Sequence, residues 1–239
     1  MTTIIAIGGG EIRDLETLAI DEYIVKSAAK PQPKALFIPT ASGEPEGYIE
    51  TFQRVYGGHL GSQTDTLHLI HDPDPPETIK RKILSADIIY VGGGDTDRML
   101  TIWRQHGVDK LLKEAYQRGV ILSGLSAGAI CWFQYGHSDS MKIRKEADEY
   151  ILLEALGFIP GVLCPHFNEG DREADFLNML GRTNMTGIAL ENHCALEIQN
   201  DQFKIIKAHP NAKAYKISKG FKEELTNTDK FLPLAYLVK

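Results

Sequence analysis

The chain has 239 residues, 43% of them hydrophobic and 24% charged, with a formal net charge of −6. That length supports a sizeable core, in one large α/β domain or two small ones, and one domain is the simpler expectation for residues 1–239. The negative balance removes any general attraction for nucleic acid or an anionic membrane, while a local arginine can still receive an acidic substrate.

Met1 to Glu11 carries no basic leader, and no segment approaches the ~20 apolar residues of a membrane span. Cys131, Cys164 and Cys194 are odd in number and form no CxxC pair. Free thiols in a reducing compartment follow, so a cytoplasmic location is expected.

In chain order, Thr3 to Ile7 is β-branched and runs into Gly8-Gly9-Gly10, which predicts a buried strand leaving into a tight turn. Leu15 to Ala29 has helical spacing, and Ala35 to Pro39 is a second apolar run. Tyr48 to Tyr56 reads as helix and Thr64 to Ile70 as strand. After the His71 to Pro76 turn, Glu77 to Leu84 resumes as helix. Asp87 to Val91 is a strand ending in Gly92-Gly93-Gly94, and Asp97 to Arg118 is helical with a break near Gly107. Val120 to Leu122 is strand-like again. This βαβ alternation predicts a mostly parallel sheet covered on both faces. Beyond Gly187, the runs Ala195 to Ile198 and Phe203 to Lys207 flank Asn200-Asp201 and predict antiparallel hairpins at an edge.

Ligands of such a sheet bind beyond the carboxyl ends of its strands, where three glycine-bearing turns fall. None matches GxGxxG or the P-loop pattern, and Gly8 to Gly10 need do no more than permit a tight turn. Gly124-Leu-Ser126-Ala-Gly128 is more specific. It matches the GxSxG elbow and stands between a predicted strand and a predicted helix, the context that holds a serine out as a nucleophile.

A serine needs a base and donors for the oxyanion. The N–H of Ala127 is one candidate donor, and the amide of Gly93 or Gly94 is another. Among eight histidines, His59, His68, His71 and His106 lie in surface-like segments before the elbow. His137 follows the elbow helix, His166 stands where an apolar run meets a turn, and His193 and His209 fall in the antiparallel tail. No HExxH or paired Cys/His spacing appears, so neither a metal nor another cofactor is expected.

Gly124-Leu-Ser-Ala-Gly-Ala129 resembles the nucleophile motif of the S51 serine peptidases, which include aspartyl dipeptidase (peptidase E) and cyanophycinase. Phe37 to Ser42, Val91 to Thr96 and Pro165-His166-Phe167 are similar to that family's other landmarks, in the same order. The resemblance spans the chain from the first strand to about Leu196. It implies an α/β/α sandwich like that of class I glutamine amidotransferases, with Ser126 as nucleophile and His166 as general base. Gly187 to Asn192 is similar to the segment with the family's catalytic glutamate, which makes Glu191 the third member. Some relatives carry that glutamate one residue later, at the position of Asn192, and Asp139 is the other acid the resemblance offers. Arg172 resembles an arginine that receives the aspartyl carboxylate of the substrate.

The leading expectation is a serine peptidase for small peptides, aspartyl dipeptides or β-linked aspartyl peptides, acting as a monomer or homodimer. An α/β-hydrolase esterase would instead join Asp171 or Asp175 to His193 or His209. A non-catalytic protein would use the glycine turns to hold a small anion.

Overall fold

The computed structural model describes residues 1–238. Five strands carry the first half of the chain: β1 (Thr3–Ile7), β2 (Lys34–Ile38), β3 (Gln63–Thr66), β4 (Ile88–Val91) and β5 (Ile121–Leu125). Helices α1 (Leu18–Ser27), α2 (Glu46–Phe52), α3 (Pro76–Ser85), α4 (Thr96–His106) and α5 (Val108–Gln117) connect them. Gly107 separates the last two with φ 69°, a left-handed turn that glycine adopts without a Cβ penalty.

All four pairings among these strands are parallel, in the order β1-β5-β4-β2-β3. Alternation along β1 sends Ile4 and Ala6 into one apolar cluster and Ile5 and Ile7 into the other. Ile79, Ile83, Met99, Trp103 and Leu112 of α3 to α5 cover the first face. Ile20 and Ile24 of α1 cover the second, with Phe37, Phe52 and Tyr56 stacked in a row and Tyr90 edge-on to Tyr56. This is the expected three-layer arrangement. Each face buries enough apolar surface to stabilise the sheet from both sides, at roughly 25 cal/mol per Å².

After the short helix α6 (Ala127–Ile130) the chain builds a second sheet that the sequence reading did not anticipate. Its strands are β6 (Phe133–Ser138), β7 (Ile151–Glu154), β8 (Ile159–Cys164) and β9 (Gly187–Leu190), with α7 (Ser140–Arg144) and α8 (Arg172–Gly181) inserted. Then β10 (Cys194–Gln199) and β11 (Gln202–Lys207) form the predicted hairpin, and β10 runs antiparallel to β1 in the first sheet. Next, β12 (Ala214–Ser218) pairs antiparallel with β9 and β13 (Phe221–Glu224) antiparallel with β12, which extends the second sheet. Strand β14 (Leu232–Pro233) pairs with β11, and α9 (Leu234–Val238) ends the described chain.

Among the described residues the sheet orders are thus β14-β11-β10-β1-β5-β4-β2-β3 and β13-β12-β9-β8-β6-β7. Strands β6, β8 and β9 are parallel to one another. One face of the second sheet, through Leu163, Ile188 and Leu190, joins the large core of the first; the other packs Val162 and Cys164 on Phe176 and Leu180 of α8. No helix is long and apolar enough to cross a membrane among the described residues.

Candidate active site

Parallel pairing fixes where the glycine turns meet. Ile7 is the register partner of Leu125, and Gly124 that of Val91. The turns after β1, β5 and β4 therefore leave the sheet side by side at its carboxyl edge. Ser126 occupies the middle one, at φ 57° and ψ −111°, conformational strain of about 1–3 kcal/mol held by its surroundings. Its N–H donates to Ile7 O at 3.0 Å. The flanking glycines are steric necessities: a Cβ on Gly124 would stand 2.3 Å from Gly128 O, and one on Gly128 would stand 2.2 Å from Val91 O.

His166 arrives from the other sheet. It follows β8, takes φ 49°, and donates its N–H to Gly8 O at 3.0 Å. Ser126, His166, Gly93 and Gly94 line one cavity of about 390 Å³, with Glu11 and Arg13 after β1 and Tyr48 on α2. The structure thus brings the serine, the histidine and both glycine amides together. No direct Ser126–His166 hydrogen bond forms among the described residues; the two share the cavity.

Ala127 opens α6 directly after Ser126, so its N–H is one of the orphan groups of a helix start. A Cβ on Gly93 would lie 3.4 Å from Ser126 Cβ, which puts this backbone against the serine. Gly94 has φ 134° and packs so close to Ala41 O that no side chain fits. The Gly93 N–H faces the Tyr48 hydroxyl at 3.5 Å. Burial pushes that phenol up to about 12, so it stays protonated at neutral pH.

Glu191 and Arg172 are not brought to this cavity. Just beyond β9, as the chain enters a turn, the side chains of Glu191 and Asn192 find different partners. The Glu191 carboxylate accepts from Lys213 N–H at 2.9 Å and from the Tyr215 hydroxyl at 3.4 Å. Asn192 is the residue that reaches the histidine, with Oδ1 2.8 Å from His166 Nδ1. The Asn192 Nδ2 donates in turn to Glu169 Oε1, which itself stands 3.4 Å from His166 Nδ1.

Arg172 is buried at the start of α8, where its guanidinium pairs with Asp139 and lies 5.0 Å from the centre of the Tyr150 ring. Asp139, the other acid considered, is thereby engaged away from the histidine. The arginine that lines the cavity is Arg13.

The esterase constellation does not assemble either. Asp171 accepts from the Tyr150 hydroxyl and Asp175 faces His137 Nε2 at 2.8 Å, whereas His193 pairs with Glu16 at 3.2 Å. Burial lowers the His137 pKa, which keeps that enclosed ring neutral. Sequence reasoning passed over Tyr48 and Glu169; it took Gly9 as part of a tight turn and noted Asn192 only as the place where some relatives carry the glutamate, which was the available signal for that residue.

A parallel α/β sheet presenting a serine on such a turn is the framework of a hydrolase. Comparison with known proteins gives the family: peptidase family S51 matches residues 4–206, and the chain belongs to it. It is 36% identical over 221 residues to an uncharacterized peptidase, YgaJ, of Bacillus subtilis, covering 91% of this chain and 92% of that one. Peptidase E of Shewanella denitrificans is 31% identical over 150 residues, covering 60% of this chain and 58% of its own. Among solved structures, a peptidase from an acI-B1 actinobacterium superposes with a TM-score of 0.74 at 25% identity, covering 98% of this chain and 97% of that one. A peptidase E-like protein from Listeria monocytogenes shares the fold, with a TM-score of 0.65 at 22% identity over 87% of this chain and 98% of its own.

Proposed function

We propose that this peptidase hydrolyses small peptides through an acyl-enzyme formed on Ser126. The observation that carries the reading is the strained Ser126 turn opening into the same cavity as His166. Ser126 Oγ attacks the scissile carbonyl carbon while its proton passes to His166 Nε2. The carbonyl electron pair moves onto oxygen, where the N–H groups of Ala127, Gly93 and Gly94 receive it. Collapse breaks the C–N bond, and the Nε2 proton goes to the departing amine. Water then repeats the sequence on the ester and frees Ser126.

A cavity of about 390 Å³ suits a peptide of a few residues. Arg13 is the arginine at this cavity, with its side chain 71% exposed and free to swing onto a ligand, so an aspartyl side chain or a β-linked aspartyl group is the acidic substrate proposed. Arg172 is not the residue for that role, because its guanidinium is buried against Asp139. The test is a dipeptide library holding Asp-X, isoaspartyl-X and neutral pairs, with Ser126→Ala as control. Turnover of Asp-containing members by the native chain alone supports the reading; undiminished turnover by Ser126→Ala sinks it.

A further inference from the structure

The base of this site lacks the acid expected beside it, yet a carboxylate stands within reach. Asn192 Oδ1 is 2.8 Å from His166 Nδ1, and the amide nitrogen of the same side chain donates to Glu169. A carboxylate only accepts, so Glu169 fixes which end of the amide is which: Nδ2 faces the acid and Oδ1 faces the ring. Oδ1 is also purely an acceptor, so the ring must carry its proton on Nδ1. That leaves the Nε2 lone pair for the serine.

Two further bonds hold the arrangement. Asn192 N–H donates to Asn168 Oδ1 at 2.9 Å, and Glu169 N–H closes a turn onto His166 O at 2.9 Å. The acid and the base it serves therefore sit three residues apart on one loop, clipped together by the residue after Glu191.

We propose that Glu169, acting through the Asn192 carboxamide, is the positioning acid that orients His166 and stabilises its imidazolium, the role first given to Glu191. The proposal rests on the Ser126–His166 reading above. Asn192 supplies the contact and the tautomer, and Glu169 supplies the charge, both by polarising the amide and directly across 3.4 Å. No proton leaves Nδ1 at any stage. Glu191 cannot substitute, because its carboxylate is held by Lys213 N–H and the Tyr215 hydroxyl.

Other charged or titratable groups share the neighbourhood. Glu11 and Arg13 line the cavity from the turn after β1, and Tyr48 does so from α2. His193, paired with Glu16, lies beyond Gly10. Glu169 differs from all of them in touching the amide that touches the ring. Its side chain is 53% exposed, so its influence is screened by salt.

The experiment measures the rate at which diisopropyl fluorophosphate modifies Ser126 as a function of pH. It compares the native chain, Glu169→Gln, Glu191→Gln, Asn192→Ala and the double variant Glu169→Gln with Asn192→Asp. Removing an anion beside an imidazolium disfavours its charged form, so the acidic limb of the profile moves to lower pH in Glu169→Gln. Its plateau falls about tenfold, the loss of one hydrogen bond to a charged group. Asn192→Ala falls at least as far, the double variant regains the native limb, and Glu191→Gln matches the native profile.

An unmoved limb in Glu169→Gln, or a displaced one in Glu191→Gln, overturns the proposal. A native chain that the probe leaves unlabelled counts against the serine reading instead. In that event ¹⁵N resonances of the His166 ring, assigned with His166→Gln, still decide the matter. A neutral ring protonated at Nδ1 whose titration midpoint drops in Glu169→Gln supports the proposal, and an Nε2-protonated or unresponsive ring refutes it.

Discussion

A Cβ on Gly9 would stand 2.4 Å from His166 Nδ1 and 2.0 Å from Asn192 Oδ1. The middle glycine of the first turn thus leaves the volume in which the base and its amide partner meet. Gly9→Ala must push both aside. The expected outcome is a fall of about 100-fold or more in kcat/KM, the scale of a displacement near 1 Å at the reacting groups. Far-UV circular dichroism should be unchanged, because the turn lies outside the strands. Native-like turnover by this variant would remove the argument for the glycine.

Tyr48 offers a hydroxyl beside the Gly93 N–H, held as a neutral phenol by burial. A protonated phenol there donates to an oxyanion as readily as it accepts from an amide. Tyr48→Phe should lower kcat by about tenfold or more with KM little altered, the pattern of a contact made in the transition state. A change confined to KM would make Tyr48 a wall of the cavity only.

Arg172 is a structural residue on this geometry. Arg172→Gln leaves the Asp139 carboxylate without its guanidinium, and about 1–3 kcal/mol of stability should be lost. KM for aspartyl peptides should stay constant, whereas Arg13→Gln should raise it. Denaturant titration and substrate kinetics on the two variants separate these effects.

Asp21 of α1 is buried with hydrogen bonds from the Thr17 and Tyr56 hydroxyls, and desolvation raises its pKa from 3.8 to about 7. Between those values the folded state holds a proton that the unfolded state releases. Stability from this group is therefore complete below about pH 4 and declines as pH rises towards 7. The decline is at most on the order of 4 kcal/mol. Asp21→Asn should flatten the slope over that interval, with urea midpoints at pH 4, 5.5 and 7 as the measurement.

Strands β1, β2, β4 and β5 and the hairpin of β10 and β11 were legible because each is a compact apolar run bounded by glycine or polar turns. The elbow was legible for the same reason, since its glycines sit at steric contacts with Val91 O and within the turn itself. The second sheet was not. Strand β6 contains Gly136 and slips register between Phe133 and Tyr135, while β8 begins Ile159-Pro160-Gly161 with Gly161 at φ 101°. Breakers inside short strands hide the alternation that would reveal them. The position of the Glu191 side chain was not legible for a related reason: a likeness of segments fixes a neighbourhood, but the partner each side chain finds depends on how the chain turns after β9.

His166 follows a strand of the second sheet and Ser126 follows one of the first; besides the shared apolar core, the backbone bond from His166 N–H to Gly8 O ties the two turns together. The reactive pair is consequently a gauge of how the two sheets are seated. A slide well short of a strand spacing would part nucleophile from base while every ladder in both sheets stayed whole. On the proposed mechanism, activity would depend on a seam and would be lost with the architecture on either side still standing.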